Sequence, residues 1–284
     1  MFVMVVLASL WPTRAPTYSA SIRAKLPHDV RAFTQGLALE RGSANSPATL
    51  LESTGLYGGR SSLRRVERSS GRVLRLEPLL ADWFGEGVAL LPNACVQLLW
   101  RERLILVRDL RSLKLRRSVP LPEQVREGWG VAAQPMAAEP ELFVSDGTSR
   151  IHVLCGRTFR VLRALTVRAN GVALSRINDL EWIEGEIWAN VWGQDRLAVI
   201  CPVSGRVRCF VNLRNLLSRD ERRMLCADEK HLRADAVLNG ITFDEKKRRV
   251  LVTGKCWPHL FEIETDALRS TPTTAKRTRA EAAL

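Results

Sequence analysis

The chain is poor in the features that announce metal or phosphate chemistry. Its four histidines, His28, His152, His231 and His259, are far apart in sequence. No HExxH or comparable metal-ligand spacing occurs. None of the six cysteines (Cys95, Cys155, Cys201, Cys209, Cys226, Cys256) forms a CxxC pair, which argues against a zinc knuckle or a thioredoxin-like site. Lys255 follows Gly254 but lacks the GxxxxGKS/T frame of a phosphate-binding loop. Long apolar runs are also missing. The stretch Phe2 to Trp11 is too short to span a bilayer. It suits the apolar part of a secretory signal, yet it has no positive n-region and no clear small-residue cleavage site. A plain hydrophobic leader is the alternative, so the secretory pathway is suggested by this stretch alone. No metal, no cofactor and no stable membrane span are expected.

What is present points to an ordinary soluble core. Hydrophobic residues make up 46% of 284 positions, enough to bury one large domain or two small ones. The formal charge is +13, largely from arginine. Such a charge fits a polyanion partner or an arginine-rich solvated surface. The basic residues are spread along the chain with no aromatic-interleaved pattern, which favours the surface and argues against nucleic acid. Cys201 and Cys209 flank the turn Ser204-Gly205. They can face each other across a hairpin as a disulfide, or remain small buried thiols.

Short Val/Ile/Leu runs broken by Gly, Asn, Asp and Ser clusters predict a mostly β chain. One pattern recurs. A short polar or aromatic signature leads, through glycine or its equivalent, into an apolar strand. Phe33-Thr34-Gln35-Gly36, Phe84-Gly85-Glu86-Gly87, Gly128-Trp129-Gly130, Asn178-Asp179 and Leu238-Asn239-Gly240 are five such starts. They recur roughly every fifty residues, and four short strands per unit at that period predict a propeller. Five units predict a five-bladed β-propeller with one short helical insertion between Leu216 and Leu232, where Ser218 and Glu221 have capping-box spacing. Residues 1–20 read as the leader, 21–265 as the propeller and 266–284 as a disordered tail. Ser21 to Leu26 is expected to be a first strand that closes the domain.

In a propeller the innermost strand of each blade lines the axis, so the residue before it sits at the channel mouth. That places Phe33, Gln35, Phe84, Glu86, Trp129 and Asn178 on one rim. The next strand runs back to the same rim and ends at Trp100, Trp192 and Lys255. Each has two readings. Glu86 is a general acid/base whose pKa an aromatic cup would raise, or a surface glutamate in a glycine turn. Trp100, Trp129 and Trp192 are pocket walls or blade packing. Gln35 and Asn178 hold an amide or an oxyanion, or serve turn chemistry. Lys255 is a charge partner for Glu86 or for a substrate carbonyl, or an exposed lysine.

The ordered set of motifs from residue 33 to residue 263 resembles the plant-type glutaminyl cyclases (glutaminyl-peptide cyclotransferases). It includes Phe33-Thr34-Gln35-Gly36-Leu37, Glu52-Ser53-Thr54-Gly55-Leu56-Tyr57-Gly58, Phe84-Gly85-Glu86-Gly87 and Gln97-Leu98-Leu99-Trp100. Gly128-Trp129-Gly130, Ser145-Asp146-Gly147, Asn178-Asp179-Leu180-Glu181, Ala189-Asn190-Val191-Trp192 and Thr253-Gly254-Lys255-Cys256-Trp257-Pro258 follow. The resemblance implies a metal-independent cyclisation of an N-terminal glutamine to pyroglutamate with loss of ammonia, by a monomer acting on peptides or proteins. It implies Glu86 as catalytic acid/base with Gln35, Asn178 and Lys255 beside it. It implies Phe33, Phe84, Trp100, Trp129 and Trp192 as the substrate pocket. Leu99 stands where that family usually has Thr, and Asp179 where it usually has Glu. The rival from another class is a non-catalytic basic propeller that binds protein or polyanion.

Overall fold

The computed structural model describes residues 14–40, 42, 47–134 and 140–268. Most of the expected leader, most of the loop from Arg41 to Ala48, nearly all of the loop from Gln134 to Pro140, and the tail beyond Leu268 lie outside the described residues. The fold is all-β. After β1 (Thr17–Pro27), the first meander is β2 (Thr34–Glu40), β3 (Thr49–Thr54), β4 (Ser62–Glu67) and β5 (Val73–Pro78). The second is β6 (Gly85–Leu91), β7 (Ala94–Leu99), β8 (Leu104–Asp109) and β9 (Leu115–Pro120). The third is β10 (Val131–Ala133), β11 (Glu141–Ser145), β12 (Arg150–Cys155) and β13 (Val161–Thr166). A small ribbon, β14 (Arg168–Ala169) and β15 (Val172–Ala173), precedes β16 (Ile177–Ile183), β17 (Glu186–Val191), β18 (Arg196–Ile200) and β19 (Val207–Asn212). A helix, α1 (Arg219–Met224), then leads to β20 (Leu238–Asp244), β21 (Arg249–Gly254) and β22 (His259–Thr265).

β1 joins the two ends of this series. It runs parallel to β19 and antiparallel to β22, merging the last two groups into one eight-stranded sheet. The chain's early segment thus supplies a fourth strand to β20–β22 and covers the β22 edge. This strand starts at Thr17, four residues before the position expected from sequence, because Thr17 to Ser19 find partners in β19 that are distant along the chain. At the other end Asp266–Leu268 form a 3-10 turn, with Ala267 and Leu268 buried against the core rather than trailing away.

The burial pattern explains the strand sequences. Inner strands such as β2 and β6 are buried over their first five residues. Second strands such as β7 and β17 are buried on both faces, so they read as apolar runs rather than alternations. Outer strands β5 and β9 are largely exposed and carry Arg75, Arg116 and Arg117, charges that protect an edge from pairing. Tight hairpins fall at Asn170-Gly171 and Glu184-Gly185, where both residues of each pair have positive φ.

Apolar layers fill the spaces between successive sheets. Ala38, Leu51 and Leu63 meet Val88 and Cys95. Val96, Leu98 and Ile105 meet Leu142 and Val144. Phe143 and Ile151 meet Ile177 and Ile187. Trp188 and Leu197 meet Ile241 and Phe243. Leu251 and Leu260 return to Leu37 and Leu50. The helix is shorter than the expected segment. Ser218 and Glu221 do form a capping box, but Leu225 leaves helical geometry and Cys226 has φ +49°. A 3-10 turn over Lys230–Asp235 follows. Cys201 and Cys209 are free thiols. Cys209 is paired in register with Val199, and the ladder ends at Ile200, so Cys201 lies beyond it. Among the described residues, no helix is long and apolar enough to cross a membrane.

The inner strands lie so close that side chains are excluded between them. A Cβ added at Gly87 would sit 2.6 Å from the Val131 nitrogen and 2.7 Å from the Trp129 oxygen. Both are backbone atoms that cannot step aside. Gly87→Ala should lower the thermal midpoint by several degrees, in line with overpacking costs of about 1–3 kcal/mol. A midpoint within a degree of the parent by differential scanning calorimetry would contradict this.

Candidate active site

Each inner strand of four meanders opens with an irregularity. The register shifts between Thr34 and Gly36, between Gly85 and Val88, between Ile177 and Leu180, and between Leu238 and Ile241. A bulge re-aims the side chains it contains. The residues so re-aimed are Gln35, Glu86, Asn178 with Asp179, and Asn239. Glycines permit the crowding beside them. A Cβ at Gly36 would lie 2.6 Å from the Val88 nitrogen, and one at Gly130 would lie 2.1 Å from the Asn178 oxygen. Polar contacts complete the circuit. Ser145 Oγ donates to the Asn178 carbonyl, the Ile241 N–H donates to Asp179 Oδ2 at 3.0 Å, and Asn239 Nδ2 donates to the Thr34 and Gln35 carbonyls. All five strand starts therefore meet at one place.

Aromatic rings surround that place. Tyr57 and Phe84 have centroids 5.2 Å apart, and Phe84 and Trp100 5.3 Å. Trp129 meets Trp192 edge-on at 6.5 Å. Trp100 and Trp192 each stand one residue past the end of β7 and β17, and Lys255 one residue past β21. One carboxylate ties the two aromatic groups together. Glu127 Oε2 accepts from Trp100 Nε1 at 2.8 Å and from Trp129 Nε1 at 2.9 Å. Phe33 lies under the Lys255 ammonium, 4.8 Å from Nζ to the ring centroid.

Glu86 is buried, and its Oε2 has no hydrogen-bond partner among the described residues. Burial pushes its carboxyl well above the usual range. Lys255 opposes that shift, while Asp179, Glu127 and Glu102 add to it. Burial lowers the Lys255 pKa in turn, with Glu86 pulling the other way. Asp179 is also pushed up by burial, against backbone hydrogen bonds from Ile241, Leu180 and Leu37. Gln35 is buried with Oε1 accepting from Asn239 Nδ2 at 3.1 Å, which leaves its Nε2 hydrogens to donate. Asn178 is buried with Oδ1 unpartnered. Beneath Gln35, Glu52 braces the bulge: it accepts from Thr34 Oγ1 at 2.6 Å, from Arg64 Nε at 2.9 Å, and pairs with His28.

All nine residues singled out in the sequence are accounted for: Glu86, Gln35, Asn178 and Lys255 at the bulges and strand ends, and Phe33, Phe84, Trp100, Trp129 and Trp192 around them. Sequence reasoning did not single out Glu127, whose role depends on two indoles brought together in space. It had Asn239 only as a strand start, not as the group that orients Gln35, and had Tyr57 and Asn190 only within longer motifs; Asn190 is buried with both amide atoms unpartnered. Asp179 was legible as a strand start but not as a buried acid bridging three strands. Among the described residues, no group of three or more His, Cys, Asp or Glu side chains is placed to hold a metal ion.

An aromatic cup around one buried acid and one buried base suits an enzyme that moves protons on a small substrate. The model of a family described as glutamine cyclotransferase matches residues 2–265. The glutaminyl-peptide cyclotransferase of Arabidopsis thaliana is 40% identical over 241 residues, covering 85% of this chain and 69% of its own. The crystal structure of Myxococcus xanthus glutaminyl cyclase superposes with a TM-score of 0.75 at 29% identity, over 89% of this chain and 98% of that one. The chain belongs to the glutamine cyclotransferase family.

Two outcomes follow from the electrostatics and the clamp. The folded-state pKa of Glu86 lies above its unfolded value. The folded chain therefore holds a proton that the unfolded chain releases, and stability falls as pH rises from the ordinary carboxylate range through the native pKa. Glutamine copies the protonated form at every pH. Glu86→Gln should raise the unfolding midpoint at pH 8 and leave it unchanged near pH 4; an equal or lower midpoint at pH 8 counts against a raised pKa. Glu127→Ala should release both indoles, seen as a changed near-ultraviolet circular dichroism and red-shifted emission, while Glu127→Gln, which keeps an acceptor, should hold most of the signal. Identical spectra for parent and alanine variant would rule the clamp out.

Proposed function

We propose that the protein is a glutaminyl-peptide cyclotransferase that closes an N-terminal glutamine into pyroglutamate and releases ammonia without a metal ion. We further propose that its sheets are the blades of a five-bladed β-propeller forming one catalytic domain. Support for the propeller comes from the five inner strands that contact one another in closed order and from the apolar layers between successive sheets. One observation carries the reaction: a buried, unpartnered carboxyl at Glu86, coupled to buried Lys255 inside an aromatic cup.

The reaction joins the α-amine to the side-chain carbonyl carbon of the same residue. Both groups sit on one molecule, so the task is to fold the side chain back and hold it there. Phe33, Phe84, Trp100, Trp129 and Trp192 form walls that exclude water and restrict the glutamine to folded shapes, a proximity effect. The neutral amine attacks the γ-carboxamide carbon. Glu86 takes the proton that the attacking nitrogen sheds and delivers it to the departing amide nitrogen, so that ammonia leaves neutral. A carboxyl that burial raises above its ordinary range suits both halves of that exchange. Gln35, Asn178 and Lys255 donate to the carbonyl oxygen as negative charge develops there.

Ammonia release from a Gln-initiated peptide, with intact mass showing the loss, is the direct test. Glu86→Gln should cut kcat by roughly 10²–10⁴ while leaving the fold intact. Full activity in that variant would reject the assignment. Incubation with a strong zinc chelator should leave the rate unchanged; loss that zinc restores would contradict the metal-free mechanism.

A further inference from the structure

Two arginines that the reaction does not use stack on walls of the cup. The Arg101 guanidinium lies over the Trp100 ring, 4.0 Å from Cζ to the centroid. The Arg176 guanidinium lies over the Trp192 ring at 5.2 Å. Both arginines are exposed. Several exposed arginines elsewhere are paired: Arg60 with Glu229, Arg163 with Glu141, Arg248 with Glu184. Arg101 and Arg176 have no carboxylate partner among the described residues. The nearby acids are otherwise engaged. Glu102 accepts from the Tyr57 hydroxyl at 3.2 Å and from the Phe84 N–H at 3.3 Å. Glu127 holds the two indoles.

Arg176 sits in an uncommon backbone state, with φ +66°. Its N–H donates to the Gly147 carbonyl at 3.0 Å and its carbonyl accepts from the Trp192 N–H at 2.8 Å. These bonds fix its position at the rim, at the place where a glycine would be the unstrained choice. Stacking engages the face of a guanidinium and leaves its edge donors for a planar, bidentate acceptor. Trp100 and Trp192 belong to one aromatic group through Glu127 and Trp129, so both exposed guanidiniums stack on walls of the same cup. In the cyclotransferase reading the N-terminal glutamine occupies the cup and the rest of the peptide leads away from it. An extended chain advances about 3.3 Å per residue, so the second and third residues lie within about 7 Å of the glutamine.

We propose that Arg101 and Arg176 form a carboxylate-binding rim that selects substrates with Asp or Glu at the positions following the N-terminal glutamine. The proposal rests on the cyclotransferase reading and adds to it a substrate class. The preference is electrostatic and salt-sensitive, because the pairs form near solvent.

The test uses the full chain and peptides that differ only at the second and third residues: Glu-Glu, Ala-Ala or Lys-Lys after glutamine. The ratio of kcat/KM for the acidic peptide over the alanine peptide should be roughly two- to fivefold per arginine. It should shrink in Arg101→Gln and Arg176→Gln, fall to near one in the double variant, and fall likewise in high salt. No preference in the parent, or a preference that survives the double variant, overturns the rim. A second arm titrates the same peptides carrying pyroglutamate in place of glutamine, read by tryptophan fluorescence. Tighter, arginine-dependent binding of the acidic product supports the rim even if no glutamine peptide is cyclised, in which case the reaction alone falls. Charge-independent binding in this arm counts against the rim whether or not cyclisation occurs.

Discussion

The inner strands approach one another too closely for a methyl group, and the site depends on that crowding. Backbone nitrogen and oxygen atoms of one strand start occupy the space where the next would carry a Cβ. Glycine at positions 36, 87 and 130 is thus a steric requirement. With side chains excluded, the strands open with bulges, which re-aim the residues they contain. Gln35, Glu86 and Asn178 are brought together by a packing constraint before any chemistry is considered.

Two buried glutamates show what the surroundings then do. Burial alone would push the Glu52 carboxyl up, but Arg64 and His28, with a hydroxyl from Thr34, hold it well below the usual range. Glu86 is equally buried, has a bare Oε2, and is opposed only by the charge of Lys255. The same side chain is a structural anion in one place and a raised acid in the other. The difference is the number of donors that reach it. An unsatisfied buried carboxyl costs stability, and the fold tolerates one at Glu86. The saturated network around Glu52 lies one strand away and keeps the Gln35 bulge in place, so the stable cluster supports the unstable one.

Much of this arrangement was legible from residues alone. Five strand starts, four of them glycine-bearing, at a period of roughly fifty residues marked the inner strands, and the three strand-end residues Trp100, Trp192 and Lys255 followed from strands that alternate direction. The capping box of Ser218 and Glu221 was visible because it is local. The length of the helix was not, because its end depends on Leu225 and Cys226 turning into the core. The start of β1 was not, because its first residues pair with Phe210 to Asn212. Glu127 was missed because nothing in its neighbours along the chain indicates that two indoles will converge on it.

Local patterns settle backbone conformation, since hydrophobic period, turn residues and caps act between near neighbours. They established the β class, the strand starts and the residue types at their tips. Proton affinity and ring geometry are of another kind. They depend on charges and donors within a few ångströms, and those come from distant segments: Asn239 orients Gln35 across 204 positions. Whether Glu86 would be a solvated turn residue or a buried acid was therefore left to the packing of the sheets, which alone sets how much water reaches it.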